Sequence, residues 1–110
     1  MSYKVLSTRG FERDLKRLLK RFPSLKKEFA HFISEVSQNP KVGIYIGNNC
    51  YKIRLAIGSK GKGKSGGARI ITYIYTTTET VYLMAIYDKS EKDNVKLNEL
   101  KEMIENLDLT

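Results

Sequence analysis

The chain has 110 residues, is 41% hydrophobic, and carries a formal net charge of +8 with an isoelectric point near 9.6. That length suits one compact domain, residues 1–110, with a modest core and no deep enclosed active site, and the charge favours polyanionic partners. One cysteine (Cys50) and one histidine (His31) exclude a disulfide framework and a zinc site of the usual kind, and no apolar run spans a membrane or serves as a signal peptide.

Tyr3–Leu6 is a short predicted strand. Two apolar stripes come next, Phe11, Leu15, Leu18, Leu19, Phe22 and then Leu25, Phe29, Phe32, Ile33, Val36. Both step as one face of a helix. Pro23 separates them, where it can end one helix and open the next, so the spacing predicts a helical hairpin closed by Asn39-Pro40. The period then changes to two: Tyr51, Ile53, Leu55 and Ile57 alternate with Lys52, Arg54 and Ala56. Ala68–Tyr75 and Thr80–Tyr87 are rich in β-branched and aromatic residues, with Thr76–Glu79 as a polar connector. Ser90 with Asp93 resembles a capping box for a last helix, whose stripe is Leu97, Leu100, Ile104, Leu107. The fold class is α+β: two N-terminal helices packed on a twisted antiparallel sheet of three to five strands, with a C-terminal helix.

Acidic residues are absent between Glu35 and Glu79, a span that holds Lys41, Lys52, Arg54, Lys60, Lys62, Lys64 and Arg69. Lys52 and Arg54 share a strand face about 7 Å apart, opposite the apolar row. Arg69 comes from the next strand. Like charges repel, so a phosphate site is the simplest reason to keep such a cluster. The glycine-spaced Lys60, Lys62 and Lys64 suit an arm that tracks a nucleic-acid backbone. Roughly seven phosphate contacts on a single strand would give a log–log salt slope of about −5. The cations of the first helix, by contrast, fit a solvated face.

Gly58–Ser65 also matches the phosphate-binding pattern G-x-x-x-x-G-K-[ST]. Such a loop must open a helix, whereas a predicted strand comes next here, which speaks against nucleotide binding. His31 fits a structural or exposed position, since a catalytic histidine pair needs a second member. Cys50 fits a small buried hydrophobe.

Taken together, Cys50-Tyr-Lys-Ile-Arg-Leu55, Gly66-Gly67-Ala68-Arg69-Ile70, Val81–Lys92 and the stretch Phe11–Leu18 resemble the RelE/ParE toxin superfamily, with its HigB-like branch nearest. The resemblance implies the toxin of a type II toxin–antitoxin system. It implies a ribosome-dependent endoribonuclease that cuts mRNA without metal or cofactor. It also implies a co-encoded antitoxin, often with a helix-turn-helix DNA-binding domain, and action in the cytoplasm on ribosome and mRNA with no membrane partner. The family's basic residues fall on Lys52, Arg54, Arg69 and Lys89. The implied chemistry is attack of a ribose 2′-OH on the adjacent phosphate, giving a 2′,3′-cyclic phosphate and a 5′-OH leaving group. Arg54 and Arg69 would clamp phosphate oxygens, and Lys52 or Lys89 would move protons. Tyr87 is a second acid/base candidate or a stacking platform. Several family members place an essential tyrosine in the C-terminal helix, but Lys92–Leu107 contains none. Three other readings stand beside this one: a non-catalytic gyrase inhibitor of the ParE kind, a basic RNA- or DNA-binding module without chemistry, and an inactive relative that keeps only antitoxin binding.

Overall fold

The computed structural model describes residues 2–58, 66–92 and 94–107. Its elements run β1 (Lys4–Ser7), α1 (Arg9–Arg21), α2 (Leu25–Gln38), β2 (Ile44–Gly47), β3 (Cys50–Leu55), β4 (Ala68–Tyr75), β5 (Thr80–Asp88) and α3 (Leu97–Glu105).

Thr8 caps α1. Its backbone is extended, and its Oγ1 accepts the Phe11 N–H at 3.1 Å. The same hydroxyl donates to the Met84 carbonyl at 3.5 Å, and the Thr8 N–H donates to the Leu83 carbonyl at 3.2 Å. The start of the helix is therefore fixed onto β5. Phe11 and Leu18 are fully buried, as are Leu25 and Val36 of α2, with Phe32 nearly so. These stripes pack on Ile53, Leu55, Ile70, Ile74, Val81, Leu83 and Ile86 from one face of the sheet.

The five strands lie in the order β1-β5-β4-β3-β2. β2 to β5 form the expected antiparallel meander, but β1 pairs with β5 in parallel, so the sheet is mixed. The reason lies in the connection. The helical hairpin carries the chain across one face, from β1 at one margin to β2 at the other, and the meander then returns to β1. A parallel neighbour requires such a long detour.

The sequence pattern did not predict β2. It has only four residues, and glycines in the left-handed region flank and end it: Gly43 at φ +98° and Gly47 at +95°. Asn48 and Asn49, also at positive φ (53° and 61°), turn the chain into β3.

Cys50, Ile71, Tyr82, Met84 and Tyr87 face the other side, covered by Val95 and Leu100. The last helix does not open at Ser90. It begins at Leu97, where Glu99 accepts the Lys96 N–H at 3.2 Å and takes the Lys92 ammonium at 2.6 Å. Ser90 instead donates its N–H to Asp88, and Asp93 lies outside the described residues. Leu97 is 55% exposed, so Val95 supplies the buried apolar group that Leu97 was expected to supply. A bulge interrupts β5: Ile71 faces Ala85 and Thr72 faces Leu83, which leaves Met84 as the extra residue.

Candidate functional site

The meander sets a row of polar side chains across three strands. Arg54 of β3 is the direct cross-strand partner of Arg69 of β4, and Arg69 is the partner of Tyr87 of β5. Directly opposed residues share a face with Cβ atoms about 5 Å apart. Lys52 lies two residues before Arg54 on the same face, between Ile44 and Ile71. The strand alternation thus brings Lys52, Arg54, Arg69 and Tyr87 to the face opposite α1 and α2.

Their exposure differs. Arg54 is open to solvent and Lys52 is half-buried. Arg69 is only 3% exposed and Tyr87 only 6%. The Arg69 guanidinium donates to the Ala68 carbonyl at 3.2 Å, which holds it near the strand. Burial pushes the Arg69 guanidinium below the ordinary arginine range, and the neighbouring charge of Arg54 pushes it further, while Tyr87 pulls the other way. Two arginines thus share one cross-strand rung, and like charges so placed repel each other and attract an anion.

Lys89 comes directly after β5 and is exposed. Its N–H donates to the Gly67 carbonyl at 3.1 Å, one step beyond the Ala68–Asp88 pair. That bond places Lys89 at the end of the sheet where the arginine pair lies. Gly67 is needed there because a Cβ would run into the carbonyl of Leu55.

Asp88, the residue before Lys89, was given no structural role by the sequence reading. Its side chain is fully buried, and its Oδ1 accepts the Ser90 N–H at 3.1 Å. The signal was present in Asp88-Lys89-Ser90, an aspartate two residues before its own backbone donor. The adjoining Glu91 receives Arg17 at 3.1 Å and Arg21 at 3.8 Å, joining α1 to this turn.

Lys60, Lys62 and Lys64 lie outside the described residues, as does most of the phosphate-loop lookalike. The element after that segment is the strand β4, not a helix. His31 is exposed on α2, the helix packed on the opposite face. It borders a cleft of about 330 Å³ with Glu28 and Glu35, whose other wall includes Lys52 and Arg54 at the sheet margin. Cys50 is buried, and that burial raises its pKa to about 11, which leaves little thiolate near neutrality. Among the described residues no group of three or more His, Cys, Asp or Glu side chains gathers around a possible metal position. No described helix is long and apolar enough to cross a membrane.

Comparison with known proteins places this chain in a family. The family described as "RelE toxin of RelE / RelB toxin-antitoxin system" matches residues 3–107. Among solved structures, an E. coli RelE double mutant in the free state superposes with a TM-score of 0.62 at 16% identity, covering 97% of this chain and 99% of that one. The toxin–antitoxin complex RelBE2 from Mycobacterium tuberculosis gives a TM-score of 0.56 at 22% identity, covering 80% of this chain and 99% of that one. The intact E. coli RelBE complex gives a TM-score of 0.61 at 14% identity, covering 79% and 96%. At these identities the structural likeness speaks for the fold, and the match over residues 3–107 speaks for the family: the chain belongs to the RelE toxins of toxin–antitoxin systems.

Proposed function

We propose that this toxin is a metal-free, ribosome-dependent endoribonuclease that cuts mRNA, and that a co-encoded antitoxin neutralises it by binding. The observation that carries the reading is the rung Arg54–Arg69–Tyr87, with Lys52 beside it on the same sheet face and Arg54 open to solvent. Arginines paired across neighbouring strands suit a phosphate, because planar forks match its oxygens. Attack of the ribose 2′-OH adds negative charge to that phosphate, and fixed cations stabilise the added charge more than the starting charge.

Arg54 is the accessible clamp. Arg69 acts from beneath, where its buried charge is screened least. Lys52 and Lys89 are the candidates to take and return protons. Tyr87 replaces the tyrosine that several relatives carry in the C-terminal helix, and its place beside Arg69 supports that substitution. Lys60, Lys62 and Lys64 would hold the RNA strand outside the reacting phosphate. The work would take place in the cytoplasm, where translating ribosomes are. The antitoxin partner is supported by the similar toxins solved as RelBE toxin–antitoxin complexes.

The test is expression of the chain followed by mapping of mRNA 5′ ends. Codon-dependent cuts on translated messages are expected. DNA breaks with intact messages would instead identify a gyrase poison, and binding without either would identify an RNA-binding module. Arg54→Ala and Arg69→Ala should each lower kcat by about 10²–10³-fold, the usual cost of one charge-stabilising donor. Arg54 is exposed, so its variant should fold and bind antitoxin like the parent. Undiminished growth arrest in both variants would remove the arginine pair from the mechanism.

A further inference from the structure

We infer that Asp88 is a positioning residue, which sets the place of Lys89 through the turn that it closes; the inference rests on the ribonuclease reading of the site. Asp88 is the last residue of β5, and its side chain has no exposed surface. A carboxylate is buried at a cost unless hydrogen bonds hold it. Here its Oδ1 accepts the Ser90 N–H at 3.1 Å. Its carbonyl accepts the N–H groups of Glu91 at 2.9 Å and Lys92 at 3.2 Å. One residue therefore closes the turn from both its side chain and its main chain.

Lys89 is the first residue inside that turn. Its N–H is bound to Gly67 at 3.1 Å, on the strand approach that leads directly to Ala68 and Arg69. The Cα of Lys89 is thus pinned from two sides, by Asp88 along the chain and by Gly67 across the ladder. An exposed lysine has a long, mobile side chain, so a fixed starting point is what the fold can contribute to its aim. The turn is braced further by Glu91 with Arg17 and by Lys92 with Glu99. These braces act on the turn and not on the Lys89 side chain. Asp88 is linked to Lys89 by the backbone, so its effect should appear in turnover rather than in binding of the message.

Two substitutions separate shape from charge. Asp88→Asn keeps an Oδ1 acceptor for the Ser90 N–H and loses the negative charge. Asp88→Glu keeps the charge and moves the acceptor by one methylene. With purified toxin and ribosome-bound mRNA, Asp88→Glu should lower kcat at least roughly tenfold with KM within about threefold, and Asp88→Asn should stay within about threefold in both. On a Lys89→Ala background, Asp88→Glu should change kcat by less than about threefold, because the residue it acts through is gone. An Asp88→Asn variant as impaired as Asp88→Glu, or an undiminished effect on the Lys89→Ala background, would overturn the inference. Amide exchange at Ser90 supplies a readout that needs no cleavage. Protection in the native chain and in Asp88→Asn, with fast exchange in Asp88→Glu, is expected. Equal protection in all three overturns the inference, whereas a native chain that cuts no message overturns the ribonuclease reading alone.

Discussion

Arg54 and Arg69 occupy opposed positions on neighbouring strands but differ in exposure: Arg54 is open to solvent and Arg69 is buried. In the proposed mechanism the open guanidinium would meet the ligand, and the buried one would supply field from below. The sequence pointed to both residues and to their shared face, because strand alternation is a property of the chain alone. It did not show that Arg69 and Tyr87 are buried; for Tyr87 that depends on Val95 and Leu100, which belong to the segment after the strand. The turn that Asp88 closes was not legible either: in a strand of mostly apolar residues, a terminal acid reads as the strand's end. Glu99 offers a test at this scale. The hydrogen bond from Lys92, and then that from the Lys96 N–H, hold its carboxyl below the ordinary glutamate value of 4.5. A group with a depressed folded pKa adds stability that is complete above its unfolded pKa and lost as pH falls through the folded one. Glu99→Gln should therefore lower the melting temperature at neutral pH by at most a few degrees, as suits a partly exposed pair. At a pH well below 4.5 the variant and the parent should melt together. A difference that persists in acid would mean that the carboxylate charge is not what joins α3 to the turn.

Among the elements, β4 and β5 were legible almost to the residue, because long runs of β-branched and aromatic side chains leave few other ways to be buried. β2 was not, since four residues hemmed by glycine carry too little alternation to read. The start of α3 was misplaced because Ser90 resembles a cap but serves the turn before the helix. Gly67 is where element geometry reaches the site. Its close approach to Leu55 lets β3 and β4 pair to their ends. Gly67→Ala should cost about 1–3 kcal/mol, the usual penalty of overpacking, measured as a shift in the urea midpoint. The opposite end of the fold depends on Thr8. Thr8→Ala should cost about 1 kcal/mol as a lost helix cap. A neutral result would show that the bond from Thr8 to Phe11 adds nothing to what holds α1 on β5.

Across the whole molecule the net charge of +8 is distributed, not uniform. The ridge of Arg13, Lys16, Arg17, Lys20 and Arg21 lines a shallow cleft on α1, while the arginine rung lies on the other side of the sheet. The composition announced a polyanionic partner, but only the sheet topology separates these two basic surfaces. If Lys52, Arg54, Arg69 and Lys89 meet phosphates together with Lys60, Lys62 and Lys64, the log–log salt slope for single-stranded RNA should be about −5. Replacing Lys60, Lys62 and Lys64 with alanine should bring it to about −3, at roughly 0.7 for each phosphate no longer neutralised. An unchanged slope would take these three lysines out of RNA binding.

The bulge at Met84 also makes chain length matter unevenly along β5. Tyr82 and Tyr87 lie five positions apart yet look the same way, which strict alternation forbids; Met84 absorbs the odd step. Excising that one residue would leave every remaining partnership across β4 intact. Excising a residue between Met84 and either tyrosine, with the bulge kept, would turn one end of the strand inside out. In a lineage of such chains, this is the point in β5 where a one-residue gap should be found, and where the local twist should vary with it.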